Sequence, residues 1–271
     1  MDRVASGQME AAYGRLLAQA HTDLAAFNKK LAIWQAANPS MDPRGASPSR
    51  HWVFQQERYT QLVSQLETNL AFYAKTSTKA IAGAQEAAMR QSQADNRKLM
   101  AASMGGGEEA QGKISFAVLP EQAIAAVVGF TSDGTPLNKL LAQRSRDAGV
   151  AATNALVDGV AFGRGPRAVA DAFDSSLNQM HWQNLRIART EMMRSYREAQ
   201  RVDMLQNAAV LSGWRWSAAG DTRSCPVCFS MQGQVFPIHN VDPDRVSPDT
   251  AQHKGLSDVY AKAPSEGALV G

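Results

Sequence analysis

Cysteine is nearly absent: the 271-residue chain has two, Cys225 and Cys228, spaced C-x-x-C. That excludes a disulfide framework. Long apolar runs are missing as well. No stretch reaches membrane-spanning length, and the opening MDRVASGQMEAAYGRL has no apolar run of signal-peptide length. The expectation is a protein made in a reducing cytosol, neither exported nor membrane-bound. Charge of one sign is not in excess either. A net charge of +3 does not argue for nucleic acid, so any basic surface has to come from clustering. The chain also lacks a P-loop, a G-x-G-x-x-G, an H-E-x-x-H and a G-x-S-x-G. Nothing in it reads as an enzyme.

What is present is enough for a core. Hydrophobic residues make up 44% and charged residues 20%, which rules out global disorder, and the length fits one or two domains. Met9, Tyr13, Leu16, Leu17, Ala20, Leu24, Phe27, Leu31 and Trp34 step by threes and fours, placing one apolar face on a helix. NPSMDPRGASPSR reads as a loop. Trp52, Tyr59, Leu62, Leu66, Leu70 and Tyr73 then repeat the helical spacing. The two helices form an antiparallel hairpin whose stripes each require a partner. Residues 76–104, rich in Ala, Gln, Arg and Lys, predict a more exposed helix. GGGEEAQGK, residues 105–113, is a flexible linker by composition.

Beyond it, Pro120 is placed to open a helix, DGTPLNKLL starts a long one after a turn, and Pro166 starts another that runs to Asn207. VLSGWRWS alternates, with Trp214 and Trp216 on one side and Arg215 on the other, and GQVFPI reads as a return strand. The fold class is therefore mainly α: an N-terminal helical hairpin or bundle over 1–104, then a helical domain over 114–240 that carries a small C-terminal β-hairpin (α+β). Residues 241–271 form an irregular tail.

Two constellations could carry chemistry. On the helix IARTEMMRSYREAQR, Arg186, Arg194, Arg197 and Arg201 fall within about a quarter of a turn of one another. Such a stripe is either a solvated face paired at i, i+4 with Glu191 and Glu198 or a surface for a polyanion or an acidic protein. No aromatic residue is interleaved with the arginines, so base stacking is not expected. Arg189, Thr190 and Glu191 sit together on the same helix. Glu191, at the edge of the apolar face, suits hydrogen bonding to a packed hairpin better than lone catalysis.

The second constellation is Cys225-Pro226-Val227-Cys228. Two thiolates on a tight turn can grip zinc, with His239, His253 or Asp221 as further ligands. Two reduced, packed cysteines are the alternative. A redox pair would need a helix starting at the first cysteine, whereas the expected order is strand, turn, strand. A nuclease of the His-Asn-His type, centred on Cys225, Cys228 and His239, would need a second cysteine pair, and the chain has none.

GVAFGRGPRAVADAF, IARTEMMRSYREAQ, then W-x-W-x-x-x-x-D-T-R-S-C-P-V-C and M-x-G-x-x-F resemble the phage head morphogenesis family, the minor head proteins similar to the F protein of phage Mu. The resemblance covers roughly residues 115–240. It implies a structural protein of a tailed phage or prophage, made in the host cytoplasm and located in the virion or procapsid. The implied partners are the portal protein, scaffold or capsid proteins, and phage double-stranded DNA in packaging or ejection. It carries over Cys225, Cys228 and His253 as zinc ligands, and Arg189, Thr190, Glu191, Trp214, Trp216 and Asp221 as motif residues. The family's usual H-x-x-C-R-C is met here only by His253.

Overall fold

A computed structural model of the protein describes residues 2–37, 57–103, 121–162, 164, 166–209, 211, 213–216 and 226–237. The order is α1 (Asp2–Ala37), α2 (Glu57–Ser103), α3 (Glu121–Val127), α4 (Leu137–Ala161), α5 (Pro166–Gln206), β1 (Gly213–Arg215), α6 (Pro226–Ser230) and β2 (Val235–Pro237). The described chain is mostly helical. It divides into two compact units, Met1–Ala84 with Gly129–Arg189 and Gln85–Val128 with Thr190–Gly271. Each unit is discontinuous in sequence, and α2 and α5 contribute to both. The linker expected at residues 105–113 lies outside the described residues.

The first unit is built from four apolar stripes. Ala12, Tyr13, Leu16 and Ala20 of α1 meet Leu66, Leu70 and Tyr73 of α2, Ala148 and Ala152 of α4, and Phe173, Leu177 and Met180 of α5. A second cluster joins Leu24, Phe27, Leu62, Leu156, Val157 and Val169. The partners that the N-terminal stripes require are thus α4 and α5. Each large side chain buried this way contributes roughly 1.5–3 kcal/mol. The side chains of Leu31 and Trp34, and all of Trp52, lie outside the described residues.

A polar junction crosses this core. His181 stacks on Tyr13, with centroids 4.2 Å apart, and its Nδ1 is 2.8 Å from the Tyr73 hydroxyl. Tyr13 donates to Asn178 Oδ1 at 2.7 Å, so α1, α2 and α5 are held in one register. Burial lowers the His181 pKa, opposed by the Glu10 charge. Ahead of α4, Gly129 and Gly134 take positive φ values of 84° and 79°, which glycine adopts without a Cβ penalty. Asp133 caps this loop by accepting from the Thr131 hydroxyl and the Thr135 amide. Those bonds hold its carboxyl down to about 2.

The second unit contains most of the residues expected to be the more exposed helix. They are not exposed all round: Ala88, Met89 and Met100 of α2 are buried, together with Gln85, Ser92 and Asn96. Met89 packs with Val127 and Ala199. The buried face is made of small and polar residues, so hydrophobic periodicity does not announce it. Near the end of the described chain, β1 pairs antiparallel with β2, Gly213 opposite Pro237 and Arg215 opposite Val235. Trp216 extends the pairing through its amide to the Gln234 carbonyl, 2.8 Å, and its ring is buried. Among the described residues, the only other β pairing is an isolated bridge between Phe130 and Pro136. Between β1 and β2 the chain is not a plain turn, because α6 begins at Pro226.

Candidate functional site

Of the arginine stripe on α5, Arg194, Arg197 and Arg201 lie in the second unit and Arg186 in the first. Their spacing puts the arginines beside carboxylates one turn away. Arg194 Nε donates to Glu191 Oε2 at 2.6 Å, and Arg194 Nη2 reaches the Val127 carbonyl of α3 at 3.2 Å. Arg201 makes a two-pronged pair with Glu198, at 3.0 and 2.6 Å. That contact raises the guanidinium pKa above its ordinary value. Both pairs are i, i+3 rather than i, i+4. Arg194, Arg197 and Arg201 are half-buried, while Arg186 and Arg189 are exposed.

Glu191 is the inward member of this arrangement. It is 3% exposed, and its pair with Arg194 tethers α5 to the end of α3. This carboxylate is committed to a guanidinium of its own helix, whereas its edge position suggested hydrogen bonds from a packed hairpin. Thr190 lies beside it, half-buried.

Other contacts fasten α5 to α2 within this unit. The Tyr196 hydroxyl donates to Asp95 Oδ2 at 3.0 Å, and Asn96 Nδ2 donates to the Gln200 carbonyl at 3.4 Å. Asp203, also buried, has its carboxyl pushed up to about 6 by desolvation, against the Asn96 hydrogen bond and the Arg97 charge. Sequence reading missed this cluster, since polar residues on a helix are taken as solvent-facing. The i, i+4 recurrence of Asn96 with Ser92, and of Asp203 with Asn207, was the available signal. It also missed Trp182, which is 63% exposed one turn before Arg186. An aromatic therefore does stand next to the arginine stripe.

Of the expected metal ligands, Cys225 and His253 lie outside the described residues, as do Asp221 and His239. Cys228 is placed by its backbone alone, inside α6. Among the described residues no three His, Cys, Asp or Glu side chains come together as a metal site. Cys225 directly precedes a helical turn, which differs from the strand-turn-strand order expected. Trp216 is buried and Arg215 exposed. The Trp214 backbone pairs with Phe236.

Comparison with known families gives a match over the second part of the chain. Residues 151–253 match the family described as Phage Mu protein F like protein. The match supports the resemblance read from the α5 motif and the cysteine pair. Against the expected span of 115–240, the Phage Mu protein F like segment starts inside α4 and extends to His253, so part of the expected tail belongs to it. It covers the C-terminal part of α4, all of α5 and the β1–α6–β2 stretch. No curated protein and no solved structure matches the chain. Among the described residues, no helix is long and apolar enough to cross a membrane.

Proposed function

We propose that the chain is a minor head morphogenesis protein of a tailed bacteriophage or prophage. It is a non-enzymatic structural component that joins the procapsid in association with the portal. The observation that carries this reading is the family match over residues 151–253. It is supported by the use of Glu191 in an ion pair rather than in a cleft, and by the helical build of the described chain.

Co-expression with the portal protein of the same phage tests it. The expected result is a complex that survives size-exclusion chromatography, with the chain present in purified procapsids. Absence from both overturns the reading. Contact with packaged DNA is a second reading, favoured by the exposed Trp182 and Arg186 and disfavoured by the ion pairs that engage Arg194 and Arg201. In the same preparations, DNA affinity that falls steeply with salt would support it.

A further inference from the structure

The second unit buries a carboxyl group for which the proposed head role has no use. Asp203 is 3% exposed, and its Oδ2 has no hydrogen-bond partner. Asn96 of α2 hydrogen-bonds to the carboxyl, and Arg97, also on α2, is the charged group that acts on it. On its own helix, Asn207 donates to the Asp203 backbone carbonyl at 2.9 Å. Gln206, three residues on, has a buried Oε1 that also lacks a donor. Residues at i and i+3 are neighbours on a helix face. This turn of α5 therefore presents two buried acceptors and no proton, and unmet acceptors in an interior cost free energy. A neutral carboxylic acid supplies the missing donor, whereas an ionised one leaves a buried charge whose desolvation outweighs the help of Asn96 and Arg97.

We propose that Asp203 is a proton-controlled latch of the second unit: protonated, it closes the polar seam between α5 and α2, and ionised, it loosens the last turns of α5. The inference does not depend on the head-protein reading. The folded state holds the proton up to about pH 6, while the unfolded chain releases it near 3.8. The stabilisation is therefore fully present below 3.8 and is lost as pH rises through about 6. Between pH 5 and pH 7.5 the folding equilibrium of this unit should fall about tenfold. His181 in the first unit works in the opposite sense, because its lowered pKa makes stability fall on acidification. A global melt would mix the two.

Hydrogen exchange resolved by segment separates them. In the full chain, protection of amides 195–207, corrected for intrinsic exchange rates, should drop about tenfold from pH 5 to pH 7.5. In Asp203→Asn, whose amide donates at every pH, protection should be flat across that range. Equal pH dependence in both proteins, or none in the wild type, overturns the latch. Should Asp203→Asn fail to fold, the wild-type profile decides alone, a flat one being the overturning result.

Discussion

At the scale of single residues, two helical glycines of α4 separate close packing from mere spacing. A Cβ on Gly159 would stand 2.5 Å from Val169 Cγ2 and 3.4 Å from its Cβ. Valine is held in one rotamer on a helix, so the contact cannot be relieved by turning the side chain. Gly149 is tight as well, at 2.9 Å, but against Leu70 Cδ1, the far end of a flexible chain. Gly159→Ala should therefore destabilise the first unit by about 1–2 kcal/mol, overpacking outweighing the better helix propensity of alanine. Gly149→Ala should lie within about 0.5 kcal/mol of the wild type, since the propensity gain offsets a small Leu70 shift. Urea denaturation of the two variants measures the contrast. Equal midpoints would show that Val169 yields to the added methyl without cost.

At the scale of elements, the helix that carries the family motif is held by charge on one side and apolar contact on the other. Glu191→Ala removes the partner of a half-buried guanidinium and should cost about 1–3 kcal/mol. Arg194→Ala should cost a similar amount, because it leaves the Glu191 carboxylate buried without its partner and the Val127 carbonyl with Gln85 Nε2 as its side-chain donor. A double-mutant cycle should return a coupling of about 1 kcal/mol or more, and a coupling near zero would return the pair to the class of idle surface contacts. The existence of these helices was legible in the sequence. Tyr13, Leu16, Leu24 and Phe27, or Leu62, Leu66 and Leu70, recur at helical spacing, and each of them is buried. The second half of α2 was not legible, because Gln85, Ser92 and Asn96 are buried without being apolar, and a hydrophobicity pattern cannot register them. The arginine stripe was legible as a row of charges. Its state was not, because whether Arg194 faces solvent or Glu191 depends on where α3 ends. The helical turn after Cys225 escaped notice because five residues are too few to show a period.

At the scale of the whole molecule, the matched family segment and the physical units do not coincide. Residues 151–253 supply Ala152, Phe173, Leu177 and Met180 to the main core of the first unit. Most of that core, including Leu16, Leu66, Leu70 and Tyr73, comes from residues before 151. A fragment limited to 151–253 would carry α5 with most of its apolar stripe uncovered, only the end of α4 remaining to pack on it. A lone helix of that kind gains too little from propensity to hold itself in water. The exposed stripe would also be a contiguous apolar surface prone to association. Expressed alone, the fragment should therefore show low helicity by circular dichroism or elute as aggregates. Co-expression with residues 1–150 should restore a soluble complex, since it returns the α1, α2 and α4 faces that bury Phe173 and Leu177. If the fragment alone is monomeric, helical and cooperatively folded, the conserved-family segment is a domain in its own right, and the interleaved packing of the first unit is not what stabilises α5. If only the co-expressed pair folds, the N-terminal helices are part of the structural platform, and partner contacts have to be sought on faces that remain outside that core.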